Sequence, residues 1–418
     1  MPQDRFPSDR FAADRLPSAA ESERVRPAAF SFDRLRRRPD VEAPSLHAVD
    51  AADRMLLDLA NGAAPELVEH LREQSAGGFD ALAGRDVSVI GDAYGAVTLG
   101  ALELGGARRV RVHQDPLSAE RALDANAAEF APGALRRFEH HPLAPSLVED
   151  AETVLVKLPR SLDALDEIAG LVATGVHRDA VVLAAGMVKH MTPAMNELLG
   201  RWFERVDVTR ARQKARALVL SGPRATAEAD AWPRCLRDDD LGLTVCAHGA
   251  AFAGPRVDLG TRLLLATLEA EGVDRRGGEA IDLGCGTGVI ATWLAQRGMR
   301  VLATDQSAAA VASAAATARA NGVADRVVVE RDDALQGRSS ASARLIVLNP
   351  PFHVGSTIHA GIATKLFEAA ARVLQPGGEL WCVWNSHLQY APQLRRLVGP
   401  TRQAARTPKF TVTVSTRR

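Results

Sequence analysis

Three landmarks recur along this sequence at nearly one spacing. Gly91 and Gly284, Asp115 and Asp305, and Pro159 and Pro351 lie 193, 190 and 192 residues apart. In the first set, DVSVIGDAYG spans residues 86–95, RVRVHQD ends at Asp115 and TVLVKLP ends at Pro159. In the second, EAIDLGCGTG spans residues 279–288, RVLATD ends at Asp305 and LIVLNPP ends at Pro351. Each apolar run has the length of a buried strand, and helical stretches separate the runs. Strands joined through helices are parallel, so the expected fold class is α/β, with two tandem doubly wound sheets made by an internal duplication. A chain of 418 residues exceeds one ordinary core and suits two such domains plus tails.

Residues 1–45 are rich in Pro, Ser, Arg and Asp and carry the imperfect repeat DRFPS, DRFAA, DRLPS, which reads as a disordered tail. The expected domains are 46–222 and 235–418, meeting at SGPRATAEADAWPR, residues 221–234. LHAVDAADRMLLDLA opens the first with helical spacing. Lys+Arg and Asp+Glu are equal at 51 each, so no global positive field draws the protein to nucleic acid or an anionic membrane. Any nucleic-acid contact must use local patches. The candidates are residues 201–216, with six basic residues against two acidic, and the C-terminal RQAARTPKFTVTVSTRR. Cys235, Cys246, Cys285 and Cys382 show no CxxC spacing, so neither a zinc site nor a disulfide is expected, and a reducing cytosol fits. The N-terminal residues lack the apolar core of a secretory signal, and no apolar run reaches membrane-spanning length.

Chemistry concentrates in the second copy. Asp282-Leu-Gly284-Cys-Gly286-Thr-Gly288 sits where a strand becomes a helix, where glycines let backbone approach a ligand and the helix start offers free amides. The pattern is GxGxG, not the GxGxxG of dinucleotide sites. Asp305 ends the next strand, where a carboxylate can accept both hydroxyls of a ribose. Asp332 and Asp333 come one strand later, at a position that can read an adenine edge. LIVLNPPFH then stops a strand abruptly, since two prolines end the ladder and stiffen the chain beyond it. Ligands of open α/β sheets bind outside the carboxyl ends of strands, and these motifs occupy successive strand ends.

The series DLGCGTG, TD, DDAL and NPPFH resembles the class I S-adenosylmethionine-dependent methyltransferases, and NPPF resembles those acting on planar nitrogens. Residues 46–418 are similar to the two-domain ribosomal-RNA guanine-N2 methyltransferases, above all the large-subunit branch, through LHAVDAADRMLL, GDAYGAV, VLVKLPRSL, RQKARAL, GAAFAGPRVDLGTRLLL, NPPFHVG and TPKFTV. The resemblance implies two Rossmann-like domains, a degenerate first copy that supports RNA binding and a catalytic second copy. GDAYG and KLPR, in place of the full loop and NPPF, agree with that loss. It further implies S-adenosylmethionine as cofactor, with Asp282 near its amino-acid moiety, Gly284, Gly286 and Gly288 as its cradle, Asp305 on its ribose and Asp333 on its adenine. Phe252 and the turn from Asp258 to Thr261 would close over it.

A guanine amino group is a weak nucleophile because its lone pair is delocalised. Acceptors from the Asn349 side chain and the Pro350 carbonyl would hold both N–H groups and aim the lone pair, while Phe352 stacks on the base. Pro351 and His353 would border the substrate, and Lys409 and Phe410 would contact RNA. No metal is needed, a monomer is expected, and the target base must be single-stranded or flipped out. NPPF leaves two other readings open: methylation of a glutamine amide or of adenine N6, and a silent RNA-binding assembly factor.

Overall fold

The computed structural model describes residues 30–40, 42–44, 46–68, 80–224, 232–275, 277–351 and 357–418. Phe352 and His353 lie outside the described residues, as do residues 1–29 of the expected tail.

One topology is used twice. The first half contributes β1 (Asp86–Ile90), β2 (Arg109–His113), β3 (Phe138–His140), β4 (Thr153–Lys157), β5 (Val181–Met187), β6 (Phe203–Val208) and β7 (Ala215–Pro223), ordered β3-β2-β1-β4-β5-β7-β6. A hairpin of β8 (Arg234–Asp238) and β9 (Leu243–Ala247) comes next. The second half contributes β10 (Glu279–Leu283), β11 (Arg300–Asp305), β12 (Val327–Arg331), β13 (Ala343–Leu348), β14 (Leu374–Asn385), β15 (Thr401–Arg406) and β16 (Phe410–Thr416). Its order, β12-β11-β10-β13-β14-β16-β15, repeats the first strand for strand. Two tandem Rossmann-like sheets are therefore present, as the repeated landmarks required.

Both sheets depart from the expected all-parallel arrangement at one edge, where β7 pairs antiparallel with β5 and β6, and β16 with β14 and β15. The connections explain this. Only residues 407–409 separate β15 from β16, too few for the crossover that a parallel pair needs. Inner strands are buried on both faces, as in Ala343–Leu348 with only Arg344 exposed, because helices cover each face of the sheet. Trp293, Trp381, Trp384 and Phe367 fill the second core and are almost wholly buried.

Two expectations need correction. Residues 30–40 are not a loose tail: Leu35 joins the first core, and the Arg36 amide donates to Asn126 Oδ1 at 2.9 Å. An alternating, Arg-rich segment hides its few anchoring apolar residues from a composition argument. Cys235 and Cys246 form a disulfide, because the β8–β9 register sets them opposite each other across the hairpin. Eleven residues look distant in sequence, but a hairpin closes that distance.

The halves meet along the carboxyl ends of β2 and β11. The Leu117 amide donates to the Gln306 carbonyl and the Ala308 amide to the Asp115 carbonyl, each at 2.9 Å. Asp115 Oδ1 accepts from Ser307 Oγ and the Ala309 amide at 3.0 and 2.8 Å, capping the helix Ala308–Ala320 from the other half. The Arg331 guanidinium reaches Glu120 and the carbonyls of Gln114, Asp115 and Gln306. A second junction forms where Glu167 accepts from the Gly249 amide at 2.7 Å and pairs with His248 Nδ1 at 2.6 Å.

Candidate functional site

A cavity of about 450 Å3 opens beyond the carboxyl ends of β10, β11, β12 and β13. Its floor is the glycine loop. Gly284 and Gly286 have φ of +71° and +51°, and a Cβ on either would meet nothing within 4 Å, so both face open space. Gly288 serves packing instead: it caps the helix Val289–Gln296 with φ +73°, and a Cβ there would lie 2.7 Å from Ala314 Cα. The loop is held by Asp305, whose Oδ2 accepts from the Gly286 amide at 3.1 Å and Oδ1 from the Ser307 amide at 3.0 Å. Each carboxylate oxygen keeps a lone pair for a further donor. Burial raises the Asp305 carboxyl above the usual carboxylate range, and the loop amides partly offset this.

Asp333 lines the cavity, 5% exposed, with Oδ2 accepting from Lys365 Nζ at 2.6 Å. Asp332 also lines it, but spends Oδ2 on the Gly337 amide. Asp282 does not reach the cavity. It is fully buried beneath the loop, accepts from the Ala291 amide at 2.9 Å through Oδ2, and leaves Oδ1 without a partner among the described residues. Burial pushes its carboxyl up to about 7. Its neighbours Leu283 and Gly284 line the cavity, whereas Asp282 does not.

At the end of β13, Asn349, Pro350 and Pro351 enter the cavity wall. Asn349 Nδ2 donates to Asp258 Oδ2 at 3.1 Å and to Thr261 Oγ1 at 2.9 Å. Thr261 Oγ1 can accept that bond because it donates its own proton to Asp258. An ionised carboxylate only accepts, so the amide nitrogen must face Asp258 and the oxygen must face away. Asn349 Oδ1 is accordingly buried without a partner among the described residues. The same Asp258 caps the helix Leu259–Ala270 by accepting from the Gly260 and Thr261 amides.

The first half preserves this junction in altered form. Lys157, 192 residues before Asn349, donates to Asp50 and Asp53 at 2.9 and 2.5 Å, and Asp50 caps the helix Ala51–Ala60. An ion pair there replaces an amide with a free acceptor. Lys409 is exposed beside the end of β14, whereas Phe410 is 8% exposed and packs within the core against Gly260. Phe410 therefore presents no face to a substrate, correcting the expectation. Alternation along β16 turns it inward. Phe252 lines the cavity while 59% exposed.

Residues 27–226 match the RLMG N-terminal domain, and residues 242–414 match the methyltransferase small domain. A ribosomal RNA large subunit methyltransferase G from Streptomyces coelicolor is 35% identical over 387 residues, covering 90% of this chain and 96% of the relative. Its namesake from Pseudomonas aeruginosa is 33% identical over 391 residues, with the same coverage. The chain belongs to the ribosomal RNA large subunit methyltransferase G family. Its fold is also that of the T. thermophilus 16S rRNA N2 methyltransferase RsmC, solved with AdoMet and guanosine, at TM-score 0.64 and 20% identity over 80% of this chain and 88% of that one.

In this methyltransferase family member Asp258 does more than belong to a closing turn, since it also holds the Asn349 amide. Its signal was an Asp N-cap before LGTRLLLATL. Pro39, Asp40, Asp115 and Pro116 of the first half also line the cavity, and apart from Asp115, which ends the RVRVHQD run, no local motif marks them.

Proposed function

We propose that the second half methylates the exocyclic N2 of a guanine in ribosomal RNA, using S-adenosylmethionine as methyl donor. The observation that carries the reading is the unpartnered Asn349 Oδ1, fixed as an acceptor beside the glycine loop and Asp305. The residues fit this cofactor. Gly284 and Gly286 leave room for close backbone approach, Asp305 can accept ribose hydroxyls, and Asp333 borders the adenine end beside Lys365. When bound, S-adenosylmethionine supplies an electrophilic methyl group on a sulfonium.

The chain's own task is to prepare the nitrogen. Asn349 Oδ1 accepts one N–H of the guanine amino group, and the Pro350 carbonyl accepts the other. Together they draw the nitrogen from planarity and aim its lone pair. Asp258 and Thr261 keep the amide from turning over. Phe352, Pro351 and His353 belong to the base-holding rim in this reading, and Lys409 to an RNA contact beside it. The first half, with its ion-paired Lys157 in place of the acceptor amide, supports RNA rather than catalysis.

Support for ribosomal RNA comes from the family's name, and support for guanine from a fold shared with an N2 enzyme solved with guanosine. The test is to incubate the protein with labelled cofactor and deproteinised ribosomal RNA and to digest to nucleosides. N2-methylguanosine is expected. Label found only in adenine or in protein would sink the proposal.

A further inference from the structure

We propose that the first half is part of the cofactor site, closing its ribose end. The inference rests on the methyltransferase reading above. Pro39, Asp40, Asp115 and Pro116 line the same cavity as Asp305 and Gly286, although they belong to the copy without a complete loop of its own. Asp115 and Pro116 do not merely lie nearby, because backbone and side-chain bonds tie them to Ser307, which neighbours the acid that would hold the ribose.

Asp305 keeps its carboxylate in place through the amides of Gly286 and Ser307. Ser307 is gripped in turn by Asp115, which accepts from its hydroxyl and from the Ala309 amide. The backbone on either side is fixed by the Leu117–Gln306 and Ala308–Asp115 bonds. Arg331 fastens the same place from the end of β12, through the carbonyls of Gln114, Asp115 and Gln306. Asp40, in the same lining, accepts from the Tyr94 hydroxyl at 2.6 Å and from Arg37 at 2.8 Å, which fixes this part of the wall. The segment from Ala250 to Thr261 hangs from the second junction, where Glu167 holds the Gly249 amide. The Ser307 turn and the 250–261 segment of the pocket are therefore both anchored in the first half. Asp115, the first-half counterpart of Gln306, thus positions the working acid of the second half.

Binding at the ribose end and docking of the halves then share one set of bonds, so each must strengthen the other. The test uses the full-length protein with S-adenosylhomocysteine and, separately, adenosine, which has the ribose and base but no amino-acid tail. Asp115→Ala is expected to weaken both probes by about tenfold, within the usual range for coupled sites. Hydrogen exchange on the wild-type chain avoids any folding defect of that variant. Adding S-adenosylhomocysteine is expected to slow exchange at the Leu117 amide as well as at Ala308 and Ala309. Slowing confined to the second half, or equal affinity of the variant for both probes, would overturn the inference. Failure of the wild-type chain to bind S-adenosylhomocysteine at all would overturn the methyltransferase reading with it, a result distinct from the others.

Discussion

Asn349 can do its work only while its amide stays one way round. Two acceptors hold its nitrogen and none of the described side chains pairs with its oxygen, which is the polarity needed to receive an N–H from substrate. Asn349→Ala is expected to lower the methylation rate by about 10²–10³-fold, the cost of losing a transition-state hydrogen-bond partner. The dissociation constant of S-adenosylhomocysteine should hold steady, and calorimetry beside single-turnover kinetics separates the two effects. Asp258→Asn tests the control one bond further out. Asparagine is as good an N-cap as aspartate, so the melting temperature should not move. It can, however, present a donor to Asn349 and let the amide reverse. A fall in rate on the order of tenfold at unchanged stability is expected, as for small misplacements of a positioning group.

At the scale of elements, the strand end and the facing helix cap form one unit in both halves. In the first, Lys157 neutralises Asp50 and Asp53, and burial still raises the Asp53 carboxyl to about 7. Lys157→Met removes the cation and leaves the buried Asp53 carboxylate unpaired, with an expected loss of about 3 kcal/mol at pH 8 by urea unfolding. The sign with pH comes from the raised value. A carboxyl that titrates near 7 when folded but near 4 when unfolded costs stability as pH rises through that interval. Without Lys157 the interval extends higher, so the variant's deficit should shrink toward pH 5 and be largest above pH 8. A deficit independent of pH would contradict the assignment.

The strands, the glycine loop and NPP were legible because each depends on local pattern: an apolar run, a turn, a proline stop. Asp258 was only half legible, because a cap can be read from one segment but its grip on Asn349 joins positions 91 residues apart. Phe410 was misread for a related reason. Its neighbours are basic and exposed, and only the pairing of β16 with β14 shows which way its ring turns. The Cys235–Cys246 bond likewise required the hairpin register.

For the whole molecule, the decisive contact is the one between halves, where a single guanidinium serves three carbonyls and a carboxylate. Arg331→Ala strands those acceptors and is expected to cost about 2–4 kcal/mol. Because the bonds span both halves, the loss should appear as earlier separation of two transitions in a thermal scan. S-adenosylhomocysteine should partly restore their coincidence. A single unshifted transition would show that the halves are held together elsewhere.

The junction also has a geometry of its own. Leu117 donates to Gln306 while Ala308 donates to Asp115, and Pro116 bridges Ser307 between them. Each of these residues sits 191 positions from its counterpart, so exchanging the halves turns one bond into the other. This is the relation found across the axis of a two-fold dimer, where one surface meets itself. Such a contact had to be invented only once. A single-domain ancestor that paired through this turn would already have placed one copy's strand end against the other's pocket.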